Sequence, residues 1–158
     1  MIRIPYRPHA LKQPAPPTLS AGTTHRFRPQ LAVRLFGPGG RWRDFRSALV
    51  DTGADDTIFP ADAATLIGAA LLPGTGHAVQ WRGATYSLRF AQVELQIGAG
   101  VVTFRWPAVV AFCAAPVPYP LLGNSGFLEF FDATFSGADH ILELAPTASF
   151  PGTEVTRP

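Results

Sequence analysis

The sequence predicts an all-β fold organised as one main domain. Its 158 residues are enough for a single domain with a proper hydrophobic core. Apolar residues make up 47% of the chain and aromatic residues 11%, which is a globular composition. The 15 glycines and 16 prolines favour many turns and few long helices, and the short apolar runs between those turns have the length of strands.

The first 30 residues are predicted to form an extended, proline-rich arm with polyproline-like conformation. They contain six prolines and five basic residues but no acid. Two interpretations stay open: a flexible, solvated tail, or an arm that adds a strand to a partner subunit or lies along the body. The main domain is expected over residues 31–148, and residues 149–158 are expected to form a polar tail.

A predicted hairpin opens the main domain. Residues 31–36 read as its first strand, a glycine-rich turn follows, and residues 42–50 return as the second strand, which ends at Asp51. Beyond the next loop, residues 62–72 are predicted to form a short packing helix. Ala and Leu favour helix, and a Pro-Gly pair ends the run.

Further strands are predicted downstream. Residues 77–81 and 84–90 flank Arg82-Gly83 and are expected to form a hairpin. Residues 92–97 alternate polar and apolar, which is typical of a half-buried strand. The remaining predicted strands cover residues 101–106 and 108–112, broken by Pro107, and a last hairpin of residues 130–135 and 140–144.

The most informative stretch is Ala48-Leu49-Val50-Asp51-Thr52-Gly53-Ala54-Asp55-Asp56-Thr57. Its three leading apolar residues predict a buried strand, and Gly53 permits a tight turn and the close approach of another backbone. A carboxylate at the end of a buried strand is costly unless it is hydrogen-bonded, so Asp51 is a candidate functional acid. Asp-Thr-Gly is also an ordinary turn triplet. It indicates a functional site here because an apolar strand precedes it, more acids follow it and a second matching segment lies downstream.

A second stretch, Tyr119–Leu128, has an apolar pair that leads into Gly123 and an apolar segment expected to form a short helix. Together the two stretches resemble the retropepsin family, the single-domain aspartic proteases of retroviral type and their relatives. The first stretch is close to the retroviral sequence motif, and the second stretch matches its motif less closely. The resemblance covers roughly residues 31–144. It implies a retropepsin-like closed β-barrel or sandwich with a flap hairpin, one or two short helices and one catalytic half-site per chain.

The resemblance implies catalytic roles for the Asp-Thr-Gly triplet. Asp51 would be the catalytic acid, Thr52 would lock two active-site loops together across a dimer axis, and Gly53 would leave room for the substrate backbone. Peptide hydrolysis by carboxylates needs a base and an acid, and two carboxylates that share one proton supply both. Because the chain has one such triplet, the second acid must come from another copy, as in a C2 homodimer.

The resemblance also implies substrate-binding residues on two segments. Ala54, Asp55 and Asp56 would line the cleft and bond the main chain of a peptide or protein substrate. A flap excludes water and donates backbone hydrogen bonds, and an ordinary surface hairpin is the alternative. The flap residues implied are Trp81, Arg82 and Gly83.

One position departs from the resembled family. Asn124 stands where the family often has an arginine that pairs with the acid at the position of Asp55. Asp55 then needs another partner, and the many other arginines are candidates. The main prediction is an aspartic endopeptidase. The alternative is a non-catalytic module that keeps the fold for dimerisation or peptide binding.

Composition argues against several other classes. The net charge of +2, without a dense basic and aromatic cluster, gives little support for nucleic-acid binding. No apolar run reaches the roughly 18 residues that span a bilayer, and no signal-peptide core is present, so no membrane partner and a cytoplasmic location are expected. Cys113 is expected to be a buried structural thiol. The four histidines lack metal-ligand spacing, and neither a cofactor nor a metal is expected.

Overall fold

The computed structural model describes residues 1–156, and Arg157 and Pro158, the end of the predicted tail, lie outside the described residues. Strands account for 53% of the structure and helices for 6%, which confirms the predicted all-β class. In residues 1–156 the elements are β1 (Ile2–Pro5), β2 (Arg7–Ala10), β3 (His25–Arg28), β4 (Gln30–Phe36), β5 (Trp42–Val50), β6 (Ile58–Pro60), α1 (Ala61–Ile67), β7 (Ala78–Trp81), β8 (Ala84–Ser87), β9 (Arg89–Ala99), β10 (Val102–Cys113), β11 (Leu121–Leu122), a 3₁₀ turn (Leu128–Phe130), β12 (Phe131–Ser136), β13 (Ile141–Pro146) and β14 (Thr153–Thr156).

Six strands close into a barrel in the order β9, β10, β6, β11, β5 and β4, with β9 pairing again with β4. The β10–β6 and β11–β5 pairs are parallel, and the other neighbouring pairs are antiparallel. The short strands β6 and β11 thus insert between β10 and β5. This insertion brings two distant parts of the chain to the same end of the barrel.

The barrel interior is filled by alternate residues of its long strands. In β9, Ala91, Val93, Leu95 and Ile97 are all buried, as a period of two requires for a strand with one face on the core. One end of the core is aromatic. Its members are Phe104, Trp106, Phe127, Phe131 and Phe150, whose neighbouring ring centroids lie 5.3 to 6.0 Å apart.

The predicted break at Pro107 is wrong, because β10 runs without interruption from Val102 to Cys113. Pro107 pairs with Glu94 of β9, but on the other side of β10 the described strands leave this position free. There β14 pairs only with residues 102–105 and β6 only with residues 111–113. A proline fits a strand where no second ladder is needed, so the sheet continues through it.

The helix is shorter than the predicted span of residues 62–72. It ends at Gly68, whose φ of 68° is left-handed and whose backbone N–H caps the last turn. A glycine in this conformation ends a helix without steric strain. The prediction placed the end at the later Pro-Gly pair and missed this earlier signal.

Residues near both ends of the described chain form strands that pair with the domain. Strand β1 pairs with β13 of the same chain and buries Ile2 and Ile4, while β2 and β3 form a separate two-stranded ribbon. The polyproline-like conformation predicted for residues 1–30 is therefore wrong in β1, β2 and β3. In the predicted C-terminal tail, β14 pairs with the first residues of β10.

A search of the helices in residues 1–156 found none with the length and apolar character needed to cross a bilayer.

Candidate functional site

The structure brings the two informative stretches together at one end of the barrel. Strand β11 lies parallel to the end of β5, with Leu121 opposite Leu49 and Leu122 opposite Val50. The N–H of Asp51 donates to the carbonyl oxygen of Leu122 at 3.1 Å. Asp51 therefore leaves the sheet where the second stretch enters it.

The segment after β11 crosses directly beneath the acidic loop. Asn124 N–H donates to the Ala54 carbonyl at 2.9 Å, and Ser125 N–H donates to the Asp55 carbonyl at 2.8 Å. A Cβ atom on Gly123 would lie 2.7 Å from the Ala54 carbonyl oxygen and closer still to that of Asp56. Only glycine fits this crossing, because any side chain would push the two backbones apart.

Thr57 ties the acidic loop to the crossing segment and to β10. Its hydroxyl accepts a hydrogen bond from Gly123 N–H at 3.2 Å, and its own N–H donates to the Ser125 carbonyl at 3.1 Å. Its carbonyl accepts from Ala111 N–H at 2.9 Å, and the residue is only 1% exposed. Thr57 is thus a structural residue of the site that was not predicted, although a hydroxyl next to an apolar run needs a buried partner.

The Asp51 carboxylate is held by its own loop. Its Oδ1 accepts a hydrogen bond from Gly53 N–H at 2.9 Å, and its carbonyl accepts from Ala54 N–H at 3.2 Å. Asp51 is half-buried, while Thr52 and Gly53 are exposed. The triplet thus holds a half-buried carboxylate, fixed by its own loop, beside two exposed residues.

The two following acids differ in their surroundings. Asp55 is exposed, whereas Asp56 is partly buried and forms a parallel bridge with Ser125. Burial raises the pKa of the Asp56 carboxyl, the negative charge of Asp55 raises it further, and His77 acts in the opposite direction. Asp56 lines a groove of about 500 Å³ whose walls are mainly apolar, including Phe90 and Val109.

The predicted hairpin forms from β7 and β8. Its turn residues, Arg82 and Gly83, have φ angles of 50° and 81°, the two left-handed positions of a type I′ turn. Trp81 packs in an apolar cluster with Ile58 and Leu121, and its indole N–H is buried without a partner in the described chain. Since Leu121 neighbours Leu122, the hairpin is joined to the elements that hold Asp51.

No arginine within residues 1–156 forms an ion pair with Asp55. The ion pairs found in residues 1–156 join Arg3 to Glu143, Arg34 to Asp44, Arg43 to Asp62 and Arg105 to Glu94. Asn124 is exposed and supports the loop through its backbone N–H. Support of the acidic loop therefore comes from backbone hydrogen bonds and Thr57 and not from a guanidinium.

Other candidate chemistry is sparse near the loop. Cys113 is buried in the cluster beneath the hairpin, and its sulfur accepts a hydrogen bond from Ala115 N–H at 3.3 Å. In the part of the chain that the structure describes, no three His, Cys, Asp or Glu side chains are grouped to hold a metal ion. The carboxylates of Asp51, Asp55 and Asp56 are thus the reactive groups that the loop offers.

Comparisons of the chain with protein-family models, with curated proteins and with solved structures found no match.

Proposed function

We propose that the protein is an aspartic endopeptidase that acts as a retropepsin-like homodimer with one active site. The observation that carries this proposal is the Asp51-Thr52-Gly53 loop, exposed at the end of β5 and braced from below by the Gly123 crossing. A surface carboxylate fixed by backbone hydrogen bonds is suited to meet a second carboxylate.

The proposed chemistry needs two copies of Asp51. Two carboxylates close together cannot both be ionised, so one acts as the base that activates water while the other protonates the departing amine. A twofold axis beside the loop brings the same residue from both subunits. Thr52 would then join the two loops across the axis, and Gly53 would leave space for the substrate backbone.

The proposed substrate is a peptide in extended conformation. Ala54, Asp55 and Asp56 would line the cleft and bond its main chain, because extended peptides are recognised chiefly through backbone hydrogen bonds. Trp81, Arg82 and Gly83 would close over it as a flap. The unpaired indole N–H of Trp81 is a donor that a substrate carbonyl could satisfy after a movement of the hairpin.

Replacement of Asp51 by Asn tests the proposal. The wild-type protein should cleave denatured polypeptides at some pH between acid and neutral, and Asp51→Asn should abolish cleavage because an amide cannot act as base or acid. The matched control is Asp132→Asn, since Asp132 is exposed on β12 and lies outside the loop. Circular dichroism of both variants shows whether the fold is retained.

Two results would overturn the proposal: full activity in Asp51→Asn, or no cleavage by a well-folded wild-type dimer at any pH. The second result would select the alternative, a non-catalytic module of the same fold for dimerisation or peptide binding. The absence of an arginine partner for Asp55 within residues 1–156 is the observation that keeps this alternative open.

A further inference from the structure

A basic ribbon begins beside the acidic loop. The ribbon consists of β2 and β3, and the chain passes from β3 through Pro29 into the barrel. The Pro29 carbonyl accepts a hydrogen bond from Val50 N–H at 2.9 Å, one residue before Asp51. The Arg28 guanidinium donates to the Tyr119 hydroxyl and lies over its ring, so the root of the ribbon is fixed to both stretches that build the site.

The ribbon collects like charges on one face. Arg7 pairs with Arg28, and because paired residues and alternate residues share a face, the arginines at positions 7, 26 and 28 lie on the same face. His9, the partner of Arg26, lies there too, with its Nε2 2.5 Å from the side-chain oxygen of Gln30. Like charges directly opposite each other destabilise a two-stranded sheet. Such an arrangement is favourable when an anion lies against it.

Within residues 1–156, no carboxylate forms an ion pair with the arginines of this face. Arg7 and Arg26 are exposed, and none of the ion pairs in residues 1–156 includes Arg7, Arg26 or Arg28. Residues 1–30 carry five positive charges and no acid, and since the whole chain has a net charge of +2, the remainder carries −3. The charge is therefore segregated onto the arm.

We propose that this basic face is an exosite that binds an acidic segment of the polypeptide substrate, alongside the bond to be cleaved. The proposal rests on the proposed endopeptidase function. The ribbon root is hydrogen-bonded to the residue before Asp51, so a peptide that extends from the active site on this side would reach the ribbon. The spacing of the arginines favours a peptide with acids at alternate positions. Alternate residues are about 7 Å apart both in the strands of the ribbon and in an extended peptide.

The same features favour a peptide over a nucleic acid. Single-stranded nucleic acids bind where aromatic rings offer stacking platforms beside the cations. The aromatic residue of the ribbon, Phe27, belongs to the opposite face and already stacks on His140 with ring centroids 3.9 Å apart. Apart from the His9 imidazole, the basic face thus offers charge and strand geometry without an aromatic ring.

A binding experiment with the inactive Asp51→Asn protein tests this exosite without cleavage. The probe is a fluorescently labelled peptide with Glu at alternate positions, and the control probe has Gln in their place. The paired substitution Arg7→Gln with Arg26→Gln should weaken binding of the Glu peptide roughly tenfold, and added salt should weaken it in the parent protein. The matched control is Arg41→Gln with Arg46→Gln, which removes two exposed arginines from β5 and the turn before it.

Each outcome decides the question. Equal affinity for the Glu and Gln peptides in the parent protein would overturn the exosite, and so would tighter binding of a single-stranded oligonucleotide through the same two arginines. Dissociation of a dimer by the Arg7 and Arg26 substitutions would assign the ribbon to the subunit interface and also overturn it. Charge-dependent peptide binding in a wild-type protein that never cleaves would support the exosite and refute the endopeptidase, so the two failures are distinguishable.

Discussion

Gly123 is the residue on which the geometry of the acidic loop depends most directly. Its substitution by Ala would place a methyl group 2.7 Å from the Ala54 carbonyl oxygen and closer to that of Asp56. Because both neighbours are backbone atoms, relief requires the loop itself to move. We expect Gly123→Ala to lower the free energy of unfolding by about 3 kcal/mol or more, as measured by urea denaturation.

The control for this prediction is Gly137→Ala, since a methyl group there meets no atom within 4 Å. It should change stability by no more than about 1 kcal/mol. Equal effects of the two substitutions would contradict the close crossing at Gly123.

Asp56 makes stability depend on pH. Its pKa is raised above the ordinary value of 3.8, chiefly by burial and then by the charge of Asp55, so over this window the folded protein binds more protons than the unfolded chain. The free energy of unfolding should therefore fall as the pH rises through the raised pKa. Asp56→Asn should remove this part of the pH dependence.

Denaturation of wild type and Asp56→Asn across the acid to neutral range measures this effect. The difference between them should be constant below about pH 3, where the Asp56 carboxyl is protonated in both the folded and the unfolded wild type, and should shift in favour of Asn as the pH rises above that. Asp55→Asn should reduce the shift, because it removes the like charge. A difference that stays constant with pH would contradict a raised pKa at Asp56.

At the scale of single elements, β1 is part of the folded domain and not a flexible terminus. Ile4 is 9% exposed and lies in the core, while its neighbour Arg3 points outward and forms a surface ion pair with Glu143. We expect Ile4→Ala to cost about 2 kcal/mol or more in unfolding free energy, because it leaves a cavity. Arg3→Ala should cost no more than about 1 kcal/mol, as exposed ion pairs contribute little.

Thermal or urea unfolding of the two variants compares the two faces of β1. Equal small effects would mean that β1 detaches from β13 in solution and that residues 1–30 behave as a solvated tail.

The elements that the sequence predicted well are those with a local signal. The strand Trp42–Val50 was predicted correctly because a glycine-rich turn precedes it and an acid follows it. The hairpin around Arg82-Gly83 was predicted correctly because its turn residues are typical of a hairpin. The pairing of β1 with β13 could not be predicted, since the partners are about 140 residues apart and pairing has no local pattern. The continuity of β10 through Pro107 depends on which neighbouring strands end early, which is also a tertiary property.

At the scale of the whole molecule, the candidate site combines predictable and unpredictable parts. The two stretches around Asp51 and Gly123 could be singled out by their residues, and their contact follows from the parallel pairing of β5 and β11. The buried position of Thr57 and the contact of Arg28 with Tyr119 could not be predicted from the sequence. Both depend on segments that are distant along the chain. The asparagine at position 124 was visible in the sequence, but the hydrogen bond of the Asn124 backbone N–H to the Ala54 carbonyl was not.

The central claim is that two copies of Asp51 act as one catalytic unit, and subunit mixing tests it most directly. Wild-type and Asp51→Asn chains are unfolded together, refolded at known ratios and assayed for peptide cleavage at constant total protein. If both acids are required, activity falls as the square of the wild-type fraction, to about one quarter at equal amounts, because only wild-type pairs are active. Activity that falls in direct proportion to the wild-type fraction would show that each chain works alone and would contradict the account.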